Sequence, residues 1–201
     1  MSESDVFERE AGALMTIMPA AYRLLEDKSP GKFQPYTARC LYYHSGSPKT
    51  AIVLDDLKEQ GFRMADRTVG LDMQHCLLVM KALGQSHAAS AVLHVKDPEI
   101  FKPFSESFFC ERQRKTIEMV FQNNLKSLAK EVEKWPSFND RFACKLHTLA
   151  DKAVDLFIKL LERNDNDFNT FVHGDLWMNN MMFRYSDNTD EVMDVRYIAV
   201  Y

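Results

Sequence analysis

The stretch His173-Gly-Asp-Leu-Trp-Met-Asn-Asn180 is the most informative part of this 201-residue sequence. It places a carboxylate at Asp175 and, five positions later, an amide at Asn180. An apolar run, Phe168 to Val172, precedes it, and a second apolar run begins at Met181. We therefore predict a loop that leaves one strand and enters another. A polar His-Gly-Asp turn between strands also occurs by chance, so the rest of the sequence must support any functional interpretation.

The spacing of Asp175 and Asn180 is typical of a loop that supports phosphoryl transfer. This reaction needs a carboxylate to orient the attacking hydroxyl and oxygen ligands to hold Mg²⁺ on the phosphates. Protein kinases carry His-Arg-Asp followed by Asn at this same spacing, and Gly174 replaces the Arg here. We predict that Asp175 orients the hydroxyl or accepts its proton, and that Asn180 binds Mg²⁺. His173 should brace the loop by hydrogen bonding, and Trp177 should pack beneath it.

The composition argues against several classes of protein. A net charge of −4 and a pI near 5.9 exclude the basic surface of a non-specific nucleic-acid binder. The 46% hydrophobic content supports a buried core. The four cysteines show neither a zinc spacing nor a disulfide framework, which favours a reducing compartment. The N-terminus lacks a basic, apolar leader, and we expect no membrane span, so the sequence predicts a soluble, cytoplasmic protein.

Hydrophobic periodicity predicts an α+β chain. One helix is expected at the start of the first lobe and several through the middle of the sequence, and the helix over 71–93 should be central and largely buried. The predicted helices are 5–25, interrupted at Pro19, then 71–93, 104–134 and 139–163, and the predicted hairpins are 38–44 with 50–54 and 181–185 with 192–200. This order suggests two lobes joined near residues 55–70.

Four phrases resemble the ecdysteroid kinase-like family of arthropods, also called the CHK kinase-like family, which is related to choline kinases and aminoglycoside phosphotransferases. They are Ile52-Val-Leu-Asp-Asp-Leu57, Gly61-Phe-Arg-Met-Ala-Asp-Arg67, Leu83-Gly-Gln-Ser-His-Ala-Ala-Ser90 and the segment 172–183 around the loop. The resemblance runs from about Phe7 to the C-terminus.

The resemblance implies a bilobal, protein-kinase-like fold. Residues 1–57 would form a partial small lobe, a helix plus a β-hairpin that ends in the hinge. Residues 58–201 would form a partial, mostly helical large lobe that carries the catalytic loop. The implied cofactors are ATP and Mg²⁺, and the implied substrate is a hydroxyl of a steroid or another lipophilic small molecule.

The same resemblance assigns roles to residues outside the loop. Glu10 would be the helix carboxylate that pairs with the ATP-binding lysine, although it could be an ordinary solvated helix residue. Asp55, Asp56 and Leu57 would form the hinge, whose backbone meets the adenine, although the two acids could simply form a turn. His87 is expected to be a packed, hydrogen-bonded structural residue and not a catalytic one.

Two features of the family are missing from this sequence. No Gly-rich loop and no strand lysine stand before Glu10, and Ala199 stands where the family has its metal-binding Asp. Because alanine cannot coordinate a cation, we expect a chain that is weakly active or inactive. It would be either a partial family member, from a gene-model fragment or a truncated isoform, or a pseudoenzyme.

Two alternative functions remain. One is a non-catalytic binding or interaction module that keeps a lipophilic pocket or pairs with an intact paralogue. The other is a metal-dependent hydrolase that uses His173 and Asp175, which the sequence supports poorly because no further His or carboxylate stands at a ligand spacing.

Overall fold

A computed structural model of the chain describes residues 3–46, 49–107, 109–164 and 166–198. It combines helices with two small antiparallel sheets, which confirms the predicted α+β class. The chain separates into two compact units, one formed by Met1–Pro103 with Phe168–Tyr201 and the other by Phe104–Asp167. The division into lobes 1–57 and 58–201 stays a prediction.

The first unit begins with a continuous run of helical turns. Helix α1 (Glu3–Gly12) leads through a π-helical turn (Ala13–Ile17) into α2 (Met18–Lys28). The interruption predicted at Pro19 therefore takes the form of a widened turn, in which the Met18 N–H donates to the Ala13 carbonyl. Proline has no N–H to continue the α-helical pattern, so a π-turn next to it is physically reasonable.

The two predicted hairpins are present. Strands β1 (Cys40–His44) and β2 (Ala51–Leu54) pair antiparallel. A second sheet has the order β3-β4-β5, where β3 is Phe62–Arg63, β4 is Met181–Tyr185 and β5 is Val192–Tyr197.

Two strand assignments differ from the sequence-based ones. Strand β3 was not predicted, because two residues carry no periodicity. The strand predicted at Phe168–Val172 is wrong: this segment forms no ladder, and the Ser90 side chain and His87 carbonyl of α3 hold it instead.

Helix α3 (Met73–Lys96) is the longest element, and Asp72 caps it by accepting a hydrogen bond from the His75 N–H. One side of it packs on α2 through Ala89 and Leu93. The prediction that this helix is largely buried is wrong, because its other side exposes a row of large apolar side chains. Relative exposure is 73% for Met73, 63% for Leu77, 60% for Met80 and 85% for Val95.

The apolar character of α3 also bears on the expected lack of a membrane span. Its length and composition would suffice to cross a membrane. Core helices of water-soluble proteins meet the same criterion, so this property alone is weak support for a span.

The second unit is helical. It contains α4 (Arg114–Ile117), a π-helical turn (Glu118–Gln122), α5 (Asn123–Val132), a second π-helical turn (Asn139–Ala143) and α6 (Cys144–Leu160). The predicted break at Trp135-Pro136 is confirmed, whereas the helix predicted from Phe104 begins later. Helices α5 and α6 pack together, and the Phe121 and Phe157 rings stack at 4.2 Å.

Candidate active site

The segment that precedes the loop, residues 168–172, is hydrogen-bonded to α3. The Ser90 hydroxyl, which is buried, accepts a hydrogen bond from the Phe171 N–H at 3.0 Å. The Thr170 hydroxyl donates to the His87 carbonyl at 3.0 Å and also contacts the Ser90 hydroxyl. Neither Ser90 nor Thr170 was predicted from the sequence. The available signal was a serine directly after two alanines in a long helix, a place where a buried hydroxyl needs a partner.

His173 is a buried residue that braces the loop. Its ring is 7% exposed and meets the Tyr197 ring nearly at right angles, with centroids 5.2 Å apart. Its Nδ1 accepts a hydrogen bond from the Asp175 N–H at 3.3 Å. Burial lowers the pKa of His173, and the nearby Asp175 carboxylate opposes this shift only in part. A neutral ring suits the contact, because Nδ1 must be unprotonated to accept the bond.

Gly174 explains why the loop differs from the His-Arg-Asp of protein kinases. Its φ is 84°, in the left-handed region where a side chain is disfavoured. Gly174 therefore allows the backbone to turn, without strain, between the buried His173 and the exposed Asp175.

Asp175 and Asn180 lie next to each other, as their spacing predicted. The Asn180 Nδ2 donates to the Asp175 carboxylate at 2.8 Å and to the Asp175 carbonyl at 2.9 Å. Asn180 ends a short 3₁₀ turn (Met178–Asn180), and its own carbonyl accepts a hydrogen bond from the Ile198 N–H at 3.0 Å. The amide nitrogen is thus used inside the protein, which leaves the Asn180 Oδ1 as the atom available to an external cation.

Trp177 does not pack beneath the loop, so that prediction is wrong. Its side chain is 52% exposed. Backbone bonds hold the loop instead: the Trp177 N–H donates to the Asp175 carbonyl at 3.1 Å, and the Asn180 N–H donates to the Trp177 carbonyl at 2.9 Å. Because the backbone closes the turn by itself, the indole is not required as a support.

The donor set at the loop fits Mg²⁺. The Asp175 carboxylate and the Asn180 amide supply hard oxygen atoms, the ligands that Mg²⁺ prefers, and Mg²⁺ commonly takes only one or two protein ligands besides phosphates and water. No group of three or more His, Cys, Asp or Glu side chains suited to a metal occurs within the described part of the chain. Ala199, expected at the position of a further ligand, lies outside the described residues.

The predicted hinge borders a cavity of about 180 Å³. Asp55, Asp56 and Leu57 form one side of it. The other lining residues are mainly apolar and come from the strands and the chain around them, namely Ala38, Leu54, Lys58, Met182 and Ile198. Met182 and Ile198 were not predicted as lining residues, because they reach this cavity only through folding.

Side chains of the hinge also make the turn that was the alternative interpretation. The Asp56 carboxylate accepts a hydrogen bond from the Lys58 N–H at 2.9 Å, and Asp55 pairs with Arg39 at 3.2 Å. The two acidic side chains therefore shape the turn. Contact between the hinge backbone and adenine stays a prediction.

Glu10 is a buried residue, so its interpretation as a solvated helix glutamate is wrong. It is 9% exposed, and burial raises its pKa to about 7. No cationic side chain contributes to this shift. Pairing of Glu10 with a lysine stays a prediction, but a buried carboxylate whose pKa no described cation lowers is the setting that such a lysine would stabilise.

His87 is half-buried, and burial lowers its pKa. Its Nε2 atom is enclosed and has no hydrogen-bond partner among the described residues, so the predicted side-chain hydrogen bond at this atom is not made. Its backbone carbonyl accepts the hydrogen bond from the Thr170 hydroxyl, in the segment that precedes the loop.

This geometry, a braced Asp175 joined to Asn180 beside a hinge-like cavity, agrees with a sequence comparison. The model of the ecdysteroid kinase-like family matches residues 1–198. The chain belongs to the ecdysteroid kinase-like family. Its α+β fold is accordingly kinase-like, and its lineage is that of kinase-like phosphotransferases. No curated protein and no solved structure matches the chain.

Proposed function

We propose that this ecdysteroid kinase-like chain binds ATP with Mg²⁺ and carries the site that transfers the γ-phosphoryl group to a hydroxyl of a small lipophilic molecule, such as an ecdysteroid. The observation that carries the proposal is the pair of hydrogen bonds from the Asn180 amide to Asp175. They hold a carboxylate and an amide oxygen side by side, which is what positioning-based phosphoryl transfer requires.

The cavity beside the hinge supports adenine binding. Its apolar walls suit the faces of a purine ring. The Asp55 carbonyl and the Leu57 N–H have no hydrogen-bond partner among the described residues. Adenine presents an amino donor and ring-nitrogen acceptors along its edge. One free acceptor and one free donor on the hinge therefore complement it.

The residues of the loop take distinct roles in the proposed reaction. Asp175 is exposed, so a substrate hydroxyl can approach its carboxylate. The hydroxyl oxygen forms a bond to the γ-phosphorus, the bond from that phosphorus to the β–γ bridging oxygen breaks, and ADP leaves. Asp175 orients the hydroxyl and accepts its proton. His173, which is neutral and buried, keeps the Asp175 backbone in place.

Mg²⁺, when bound by the Asn180 amide oxygen, would neutralise charge on the phosphates. The chain's own contribution is to hold this oxygen in a fixed position beside the Asp175 carboxylate, because the amide nitrogen of Asn180 already donates a hydrogen bond to Asp175. This arrangement exists before any ligand arrives, which reduces the cost of ordering the site on binding.

We propose that this chain binds ATP but transfers its γ-phosphoryl group weakly or not at all. Within the described part of the chain, no cationic side chain contributes to the pKa of Glu10, whereas an active kinase-like site uses a lysine–glutamate pair to hold the phosphates. The same observation favours the second candidate, a non-catalytic pseudokinase or ligand-binding module. The acceptor, an ecdysteroid or another lipophilic alcohol, is part of the proposal in both cases.

Thermal denaturation with different ligands tests the proposal. ATP with Mg²⁺ should raise the melting temperature of the chain, since a ligand at 100 times its Kd stabilises the folded state by about 2.7 kcal/mol. Filling the cavity with Ala38→Phe should abolish the shift, whereas Asp175→Ala should weaken the Mg²⁺-dependent part only. Stabilisation by a steroid and none by nucleotide would favour the ligand-binding module.

A radiolabel assay separates binding from turnover. We expect no measurable transfer of phosphate from ATP to ecdysone by the purified chain. Transfer that is lost on Asp175→Ala would show that the chain is a competent enzyme. Asp187→Ala, a carboxylate of the β4–β5 turn, is the matched control.

A further inference from the structure

Tyr197, the last residue of β5, joins this strand to three other segments of the first unit. Its hydroxyl donates to the Val79 carbonyl of α3 at 2.8 Å. Its N–H donates to the Tyr36 carbonyl at 2.8 Å, and its carbonyl accepts from the Ala38 N–H at 2.9 Å. Its ring packs against His173. The side chain is 2% exposed, so every one of these contacts is shielded from water.

The end of β5 contacts both ends of the loop. Tyr197 touches His173, the first residue of the loop, and Ile198 donates its N–H to the carbonyl of Asn180, the last one. Asp175 depends on both contacts, because its N–H binds His173 and its carboxylate binds Asn180. A displacement of the Tyr197 ring would therefore reach Asp175 through His173.

We propose that Tyr197 is a positioning residue of the phosphotransfer site: its hydroxyl, anchored on Val79, fixes the ring that holds His173 and thereby Asp175. This inference rests on the proposed function, but its structural part can be tested without catalysis. The Val79 carbonyl lies in the middle of α3, where it already accepts a helical bond. The additional bond from Tyr197 therefore serves to orient the tyrosine and not to complete the helix.

The test is hydrogen–deuterium exchange on Tyr197→Phe, which removes the hydroxyl and keeps the ring. We expect amides of residues 173–180 to exchange about fivefold faster, as for the loss of one ordinary hydrogen bond. Amides of residues 88–93 in α3 should change less. The matched control is Tyr185→Phe, which removes the hydroxyl bond to the His75 Nε2 at the other end of the same hairpin. It should leave residues 173–180 unchanged.

Three outcomes overturn the proposal: unchanged exchange of residues 173–180 in Tyr197→Phe, equal acceleration in both variants, or equal acceleration throughout the first unit. If Tyr197→Phe does not fold, exchange of the wild-type chain at rising denaturant decides the question. Opening of residues 173–180 together with 195–198 supports the proposal, and separate opening refutes it.

A binding measurement distinguishes this inference from the proposed function. In Tyr197→Phe, affinity for Mg²⁺-ATP should fall, while affinity for adenosine, which would use only the hinge cavity, should stay within twofold of the wild-type value. Failure of the wild-type chain to bind either ligand refutes the proposed function. The exchange result on the loop then still tests whether Tyr197 holds it.

Discussion

At the scale of single residues, Glu10 is the clearest example of a carboxyl group whose pKa is shifted by burial. Its pKa is raised to about 7 by burial. Below pH 4.5 the folded and unfolded states both carry the proton. Between pH 4.5 and about 7 the folded state keeps a proton that the unfolded state has released, so the free energy of unfolding falls as pH rises. Above pH 7 the full penalty of a buried carboxylate remains.

Glu10→Gln should therefore stabilise the chain at high pH and not at low pH. The gain near pH 8 should be on the order of 2 kcal/mol, and it should shrink towards zero near pH 4.5. Urea denaturation at several pH values measures it. Glu8→Gln, at an exposed neighbour on the same helix, is the matched control for the loss of one negative charge. A pH-independent effect of Glu10→Gln would indicate that the carboxylate is paired in solution.

Sequence spacing predicted the contact between Asp175 and Asn180 better than it predicted the residues around them. Asp175 and Asn180 were found because the turn between them has a fixed length, so the spacing itself encodes the contact. The prediction that Trp177 packs beneath the loop was wrong, because the backbone closes the loop by itself and the indole stays exposed to solvent. Tyr197 was missed because its partners, such as Val79 and His173, are far away in sequence.

At the scale of elements, the conformation of the loop 173–180 depends on one glycine. Gly174 has a φ of 84°, and a side chain at such an angle costs roughly 1–2 kcal/mol. Gly174→Ala should lower the free energy of unfolding by about 1 kcal/mol or shift Asp175 away from Asn180. Urea denaturation and the exchange rate of the Trp177 amide measure the two effects.

Gly84 provides the matched comparison within α3. It has no positive φ, and an added methyl group would meet no atom within 4 Å. Gly84→Ala should therefore stabilise the chain by about 1 kcal/mol, because alanine is the better helix former. If the two substitutions had the same sign, the assignment of Gly174 to a left-handed turn would be contradicted.

Elements with a clear period were predicted, and short or irregular ones were not. Helix α3 and both hairpins follow apolar spacing over several residues. The segment 168–172 is as apolar as a strand, but hydroxyl groups of α3 and of Thr170 hold it without a ladder. The short strand β3 exists only because β4 lies beside it. Such tertiary hydrogen bonds leave no local pattern in a sequence.

At the scale of the whole molecule, the burial of α3 is the property that the sequence predicted least well. Apolar residues occur on more than one side of the helix, so the helical spacing that predicted the element did not identify its buried side. In the structure, Leu93 packs against α2, and Leu77 and Met80 face solvent. Large exposed apolar areas promote association between molecules.

Substitutions on the two sides of α3 should consequently have opposite outcomes. Leu93→Ala should lower the free energy of unfolding by about 2–5 kcal/mol, because it leaves a cavity against α2. The double variant Leu77→Gln, Met80→Gln should change it by less than about 0.5 kcal/mol, because both side chains already contact water. It should also reduce any concentration-dependent self-association seen by analytical ultracentrifugation. A loss above about 2 kcal/mol in the double variant would mean that this side of α3 is covered in solution, since only buried side chains carry such a cost.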